Sequence, residues 1–172
     1  MAYTVVYNWH AIYVKSRAEK AVYERFIEQG FEAFLPLERK LRKWSDRKKW
    51  VDVPYIHSYV FVKSSEKEYF DILNTFGALR FVTFEGKAAP IPEWQIEAMK
   101  KLVGSKEKFH FSSHLFKKGE KITIEKGPLI GFTGEIVRDN DGKKKVAIRI
   151  DQIGYSMVVE MDLLHVKKIK AD

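Results

Sequence analysis

The chain has 172 residues, no cysteine and a formal net charge of +8. The absence of cysteine excludes disulfides, thiolate metal sites and thiol nucleophiles, and it fits a reducing compartment. No apolar run approaches the roughly 20 residues that span a bilayer, and the first residues lack the pattern of a signal peptide. We therefore expect a cytoplasmic protein without membrane contact, whose excess positive charge suits a polyanionic partner.

The first part of the chain alternates between strand and helix patterns. A strand is predicted at 7–15, and the capping box of Ser16 and Glu19 predicts that a helix begins directly after it. A second capping box, formed by Ser65 and Glu68, predicts the next helix. The other predicted elements are strands at 31–43, 48–55, 58–63 and 79–84 and a helix at 92–103.

This order of elements predicts an α+β domain over residues 1–106, in which helices pack on a mostly antiparallel sheet as an α/β sandwich. The following segment has no sustained period and many small or polar residues, so a linker is predicted at 107–116. Residues 117–172 contain short apolar segments separated by glycines, which favours a small β-barrel. Its five predicted strands lie at 120–125, 135–138, 144–150, 155–160 and 164–168.

No pattern of catalytic or metal-binding residues can be recognised. The glycines from Gly127 to Gly134 lead into a predicted strand and not into a helix, so they indicate turns and not a phosphate-binding loop. His110 and His114 are four residues apart but have neither a thiol nor a clear third ligand for zinc. No nucleophile stands with a base, and no carboxylates are paired in an apolar setting. We expect a protein that is not an enzyme, with no catalytic residue, metal or cofactor.

Aromatic residues of two predicted strands share faces. A period of two places Tyr59 and Phe61 on one face of their strand and Val60 and Val62 on the other. In the first strand it places Trp9 and Tyr13 on the same face. Periodicity alone leaves two interpretations open. These rings are either further core beneath another helix or an apolar pocket for a partner.

Most of the excess charge lies in one predicted hairpin. Residues 39–49 contain seven basic side chains and one acidic side chain, with Trp44 inside this stretch and Trp50 directly after it. Such a segment can follow phosphates while its indoles stack on bases. The alternative is a hairpin that is only solvated, and the charge pattern does not decide between the two.

Two groups of motifs lie in a fixed order along the chain. The first comprises WHAIY at 9–13 with Lys15 and Glu19, FLP at 34–36 and SYVFV at 58–62, and the second is a KOW motif in GEKITIEKGPLIGFTGEIV at 119–137. Together they resemble the NusG family of transcription elongation factors over nearly the whole chain. The segment LRKWSDRKK at 41–49 further resembles the UpxY-type specialised antiterminators.

The resemblance implies an elongation and antitermination factor that binds the clamp helices of the RNA polymerase largest subunit and suppresses pausing or termination. It assigns docking to an aromatic pocket of Trp9, Tyr13, Ile56, Tyr59 and Phe61, with Glu68, Tyr69 and Phe70 facing the opposite side of the polymerase cleft. It also implies contact with non-template DNA or nascent RNA. The candidate nucleic-acid residues are Lys15, Arg17 and Arg25 near the first helix and Arg42, Lys43, Arg47, Lys48 and Lys49 in the hairpin.

The resemblance also suggests a monomer whose KOW domain has ribosomal protein S10 or termination factor Rho as a partner. The chain departs from the family pattern at two places. His57 and Ser58 replace the usual Pro-Gly before the pocket tyrosine, and residues 153–155 read Ile-Gly-Tyr where Phe-Gly-Arg is common. The alternative function is a KOW-containing RNA- or ribosome-binding protein in which the basic hairpin dominates binding.

Overall fold

A computed structural model of the chain describes residues 4–169. The chain divides into two compact units, one up to Pro92 and one from Glu93. This division differs from the domain boundaries predicted from the sequence at 1–106, 107–116 and 117–172, which stay predictions. None of the helices in the described range is long and apolar enough to cross a membrane.

The first unit is an antiparallel sheet with helices on one face and two hairpins. Its elements are β1 (Asn8–Val14), α1 (Glu19–Glu28), β2 (Glu32–Phe34), β3 (Leu37–Lys43), β4 (Lys48–Pro54), β5 (Tyr59–Ser64), α2 (Tyr69–Asn74), β6 (Ala78–Phe81), β7 (Thr83–Phe84) and β8 (Lys87–Ala88). The main sheet has the order β2-β5-β1-β6, and β3–β4 and β7–β8 form separate two-stranded sheets. The predicted α+β class with an antiparallel sheet is confirmed.

The two central strands place alternate residues on opposite faces of this sheet. Ile12 pairs with Val60 and His10 with Val62 along the register of β1 and β5. The face that carries these residues meets the helices, since its apolar side chains join those of α1 and α2 in one buried cluster. That cluster comprises Ile12, Val14, Val22, Phe26, Leu35, Val60, Val62, Ile72 and Phe81.

The structure corrects three predicted elements in the first unit. The strand predicted at 79–84 is divided between β6 and β7, which belong to different sheets. The strand predicted at 31–43 is interrupted between β2 and β3, where Pro36 lacks the N–H that a sheet ladder requires. Helix α1 begins at Glu19 with Ala18 as its N-cap, so the predicted capping box of Ser16 and Glu19 is wrong. The Glu19 carboxylate instead accepts a hydrogen bond from the backbone N–H of Ser58 at 2.8 Å.

The second capping box is present. The backbone N–H of Ser65 donates to Oε2 of Glu68 at 2.8 Å. This contact closes a short 3₁₀ turn at Glu66–Glu68, which leads directly into α2. The sequence prediction is therefore confirmed for the position of the cap, and the first turn it starts is 3₁₀ and not α-helical.

The second unit is built on a six-stranded antiparallel sheet. Its elements are α3 (Glu93–Val103), β9 (Phe109–Ser112), β10 (Glu120–Ile124), β11 (Thr133–Arg138), β12 (Lys144–Ile150), β13 (Tyr155–Val159) and β14 (Val166–Lys168). The strand order is β14-β10-β11-β12-β13-β9. Each of the five predicted C-terminal strands is matched by one of these.

The sixth strand, β9, lies within the segment predicted as a linker. Phe111 pairs with Met157 and Phe109 with Val159 along β13. Four residues are too few for a period to be recognised in the sequence. That this segment forms a strand therefore depends on its pairing with β13. Helix α3 belongs to the same unit, where Nε2 of Gln95 donates to the carbonyl of Arg149 at 2.9 Å.

Candidate functional site

Two tyrosines form the most accessible part of the predicted docking pocket. Tyr13 of β1 pairs directly with Tyr59 of β5 in the sheet register. Their rings are 5.5 Å apart in an edge-to-face arrangement, and both side chains are half-buried. The guanidinium of Arg80 lies 5.3 Å from the Tyr13 ring. The sheet thus presents two adjacent phenol rings beside a positive charge.

The other predicted pocket residues are buried. Trp9 and Ile56 are each 1% exposed and Phe61 is 0% exposed. Phe61 also contacts Phe34, with ring centroids 6.3 Å apart in a stacked arrangement. Of the two interpretations left open by the sequence, burial favours core for Trp9 and Phe61, and Ile56 is likewise buried. The assignment of these three residues to polymerase docking stays a prediction.

The start of α2 carries one strongly exposed ring. Phe70 is 71% exposed, while its neighbour Tyr69 is half-buried and stacks on Phe81 at 4.6 Å. Glu68 is occupied by the capping contact with Ser65. Of the three residues assigned to the opposite side of the polymerase cleft, Phe70 is therefore the one that offers an apolar surface.

The basic residues near α1 gather around an aromatic side chain that the sequence analysis did not single out. Phe76 is 71% exposed, and its ring lies 4.9 Å from Nζ of Lys15 and 5.3 Å from the guanidinium of Arg25. Arg25 also donates from Nη1 to the Phe76 carbonyl at 3.0 Å. Arg17 remains exposed in the turn before α1, at a backbone φ of +65°.

Gly77 explains why Phe76 sits at this position. Its φ is +98°, a conformation that glycine adopts far more easily than other residues. An added Cβ would also lie 2.7 Å from Cγ2 of Val22 in α1. The chain therefore passes against α1 through a position that only glycine fits. No local sequence signal distinguishes this exposed ring from the other aromatic residues of the predicted helix.

The β3–β4 hairpin carries the other predicted nucleic-acid residues. Every residue from Arg39 to Trp50 is exposed, including the five basic side chains assigned to binding. Trp50 and Trp44 each have a guanidinium near the ring, from Arg39 at 5.7 Å and Arg47 at 5.4 Å respectively. The structure thus joins the indoles with the basic side chains on one exposed arm.

His10 is a buried titratable side chain on the face of the main sheet that meets the helices. Nδ1 of His10 is 3.1 Å from Oγ of Ser64, and its ring packs edge-on against Phe81. Burial lowers the pKa of His10 below its ordinary value, although a hydrogen bond with the backbone of Asn8 acts in the opposite direction. His10 thus favours the neutral form and belongs to the core.

The described residues contain no group of three or more His, Asp or Glu side chains placed to hold a metal ion. The functional groups that the first unit does present are exposed rings and cations. Such groups bind aromatic, apolar or anionic surfaces of other macromolecules. The first unit thus presents groups that are suited to binding other macromolecules.

Comparisons with known proteins identify the family. The family model described as transcription termination factor NusG matches residues 7–100, which is more than half of the chain. The chain is 24% identical over 176 residues to the transcription termination/antitermination protein NusG of Bacillus subtilis, covering 94% of this chain and 98% of that protein. It is 29% identical over 103 residues to NusG of Borreliella burgdorferi, covering 58% and 56% of the two chains. The chain belongs to the NusG family of transcription factors.

A solved structure supports the fold. The structure titled "Domain interaction in Thermotoga maritima NusG" matches with a TM-score of 0.54 and 22% identity, covering 96% of this chain and 98% of that chain. This match supports the fold, and the family model confirms the family prediction from the two groups of motifs. Membership of the UpxY-type subfamily stays a prediction.

Proposed function

We propose that this protein is a transcription elongation and antitermination factor that binds the clamp helices of the RNA polymerase largest subunit and suppresses pausing or termination. The relatives in Bacillus subtilis and Borreliella burgdorferi carry names of transcription termination/antitermination proteins. The proposed activity requires binding alone and no covalent chemistry. Its mechanism is steric and allosteric support of the elongating polymerase.

The observation that carries the proposal is the pair of Tyr13 and Tyr59. Two adjacent phenol rings, 5.5 Å apart and half-buried, offer apolar area together with hydroxyl groups that can bond a partner. Partly exposed aromatic side chains that are held in place by buried neighbours are typical of residues that dominate binding energy at protein interfaces. The buried Phe61 beside them keeps β5 in place and thereby positions Tyr59.

Phe70 extends the proposed contact to a second surface. It is 71% exposed on α2 and so can meet the other side of the polymerase cleft. The cluster of Lys15, Arg25 and Phe76 supplies a third contact, because two cations beside an exposed ring suit phosphates and a base. We assign this cluster to non-template DNA or nascent RNA, with Arg17 as a further cation next to it.

The docking test is capture of the full-length chain by a purified clamp-helix fragment of the polymerase. Tyr59→Ala is expected to weaken capture by roughly thirtyfold, which corresponds to about 2 kcal/mol for an interface aromatic. Phe84→Ala is the control, since Phe84 is another aromatic ring of the first unit, 71% exposed, and lies in the β7–β8 hairpin outside the proposed docking surface. Equal capture by Tyr59→Ala and the unmodified chain would contradict the proposed docking surface.

The activity test is transcription through a pause or terminator by purified polymerase. We expect the unmodified chain to raise the fraction of full-length transcript and Tyr59→Ala to lose this effect, while Phe84→Ala retains it. An effect that is unchanged in Tyr59→Ala would separate the activity from this surface.

The exposed basic hairpin favours a second candidate function, a KOW-containing RNA- or ribosome-binding protein. Binding through phosphates weakens steeply with salt, whereas aromatic docking on a protein does so much less. Recovery of ribosomes in place of polymerase from a lysate at moderate salt would favour this alternative. Ribosomal protein S10 and Rho remain the predicted partners of the C-terminal unit, and the predicted monomer can be checked by the mass of the chain in solution.

A further inference from the structure

The β3–β4 hairpin is an arm whose two faces are both accessible. Its ladder runs from the pair of Leu37 and Pro54 to the pair of Lys43 and Lys48, and residues 39–50 are all exposed. A strand pair that belonged to the core would bury one face. The side chains on each face are therefore available to a partner.

The register places like charges directly opposite each other. Arg42 pairs with Lys49, and Lys43 pairs with Lys48. Cross-strand pairs of like charge destabilise a hairpin, and within the described residues none of these four side chains has an ion-pair partner. A bound polyanion would remove this repulsion, so the charge pattern specifies an anionic occupant.

Alternation divides the arm into two faces that differ in chemistry. The first face carries Leu41 opposite Trp50 and, two ladder positions nearer the tip, Lys43 opposite Lys48. The second face carries Arg42 opposite Lys49. Trp44 donates its backbone N–H to the carbonyl of Arg47 at 2.7 Å, which continues the ladder by one pair, so alternation places Trp44 and Arg47 on the second face.

An apolar platform lies in the middle of the first face. Leu41 and Trp50 are directly opposite and are 45% and 55% exposed. The guanidinium of Arg39 lies 5.7 Å from the Trp50 ring and helps to hold it in position. The lysine pair is the next pair on the same face, two ladder positions or about 7 Å further along. An exposed aromatic ring on the same face as two cations is an arrangement that can bind a base and its phosphates.

We propose that the first face of the hairpin binds single-stranded nucleic acid, with an unpaired base stacked on Trp50 and phosphates bound by Lys43 and Lys48. A single strand is specified because its bases have open π-faces, whereas a duplex covers those faces by its own stacking. The proposal builds on the nucleic-acid contact assigned to the hairpin above, and it adds the strandedness and the binding face.

The first experiment uses the fluorescence of the full-length chain without polymerase. We expect single-stranded oligodeoxythymidine or oligouridine to quench tryptophan emission at low salt and a duplex of equal length to bind more weakly. Trp50→Phe should remove most of the quenching, whereas Trp44→Phe should retain it. Tighter binding of the duplex, quenching that persists in Trp50→Phe, or no binding at low salt would each overturn the proposal. Comparison of oligodeoxythymidine with oligouridine identifies whether single-stranded DNA or RNA is preferred.

The second experiment compares affinities of matched variants. Trp50→Ala is expected to weaken single-strand binding about tenfold, in the range found for loss of one stacked base. The double variants Lys43→Gln/Lys48→Gln and Arg42→Gln/Lys49→Gln each remove two positive charges from adjacent cross-strand pairs. The first double variant should lose more affinity than the second, and equal losses would overturn the assignment to one face.

These outcomes can be separated from a failure of polymerase docking. Tyr59→Ala is expected to bind the oligonucleotide normally, because Tyr59 lies outside the arm. Loss of clamp-helix capture with intact oligonucleotide binding supports both assignments. Normal capture with no oligonucleotide binding rejects the hairpin proposal and leaves the docking proposal standing.

Discussion

The carboxylate of Glu19 accepts a hydrogen bond from the backbone N–H of Ser58 at 2.8 Å, across 39 positions of sequence. Ser58 has a φ of +63°, an uncommon conformation for a residue with a side chain, and it directly precedes Tyr59. Glu19 is buried at the start of α1. The helix thus fixes the turn from which the proposed docking tyrosine enters β5.

Replacement of Glu19 tests this connection. Glu19→Ala leaves the N–H of Ser58 without its acceptor and should destabilise the first unit by about 1–3 kcal/mol. Glu19→Gln retains an acceptor oxygen and should cost less, while both variants lose the favourable charge at the helix N-terminus. The difference between them, measured by urea unfolding followed through amide signals of β1 and β5, isolates the hydrogen bond. Equal losses would show that charge alone matters here.

Gly77 is expected to tolerate alanine poorly. Gly77→Ala combines a φ of +98° with a Cβ 2.7 Å from the Val22 side chain. Gly30→Ala is the matched control, because its φ is +86° and nothing lies within 4 Å of the added Cβ. Each variant carries the left-handed strain of roughly 1 kcal/mol. Gly77→Ala should lower the urea midpoint clearly more than Gly30→Ala, and similar midpoints would contradict the proposed clash.

Phe61 and Tyr59 should separate stability from docking. Phe61→Ala empties a fully buried position and is expected to cost about 3–5 kcal/mol of fold stability. Tyr59→Ala removes a half-buried ring and should destabilise much less. The measurement is the urea midpoint of each full-length variant beside its clamp-helix capture. A stable Phe61→Ala chain would mean that the burial of this ring contributes little.

The protein should lose stability as the solution becomes mildly acidic. Burial lowers the pKa of His10 in the folded chain, while the unfolded chain titrates near 6.5. Between the lowered pKa and 6.5 the unfolded state binds more protons than the folded state. The free energy of unfolding therefore falls as the pH decreases through this range, and the contribution of neutral His10 is fully present above pH 6.5. His10→Gln removes this titration. Unfolding midpoints at pH 7.5, 6.5 and 5.5 should show a smaller pH dependence in the variant.

The sequence was sufficient for features that depend on local pattern. The period of two in β1 and β5, the capping box of Ser65 and Glu68, and the strands of the C-terminal unit follow from neighbours in the chain. The first capping box failed for a tertiary reason. Ser16 and Glu19 have the right spacing, but the carboxylate of Glu19 is taken by Ser58.

What the sequence alone determined about this protein was its family, its α+β class and the concentration of positive charge between 39 and 49. Only the tertiary structure decided which aromatic residues are available to a partner. Period two treats Tyr59 and Phe61 as equivalent, yet one is half-buried and the other has no exposed surface. The exposed Phe76, between Lys15 and Arg25, also emerged only from the fold. Burial and side-chain contact depend on residues distant in sequence, and a local pattern carries no information about them.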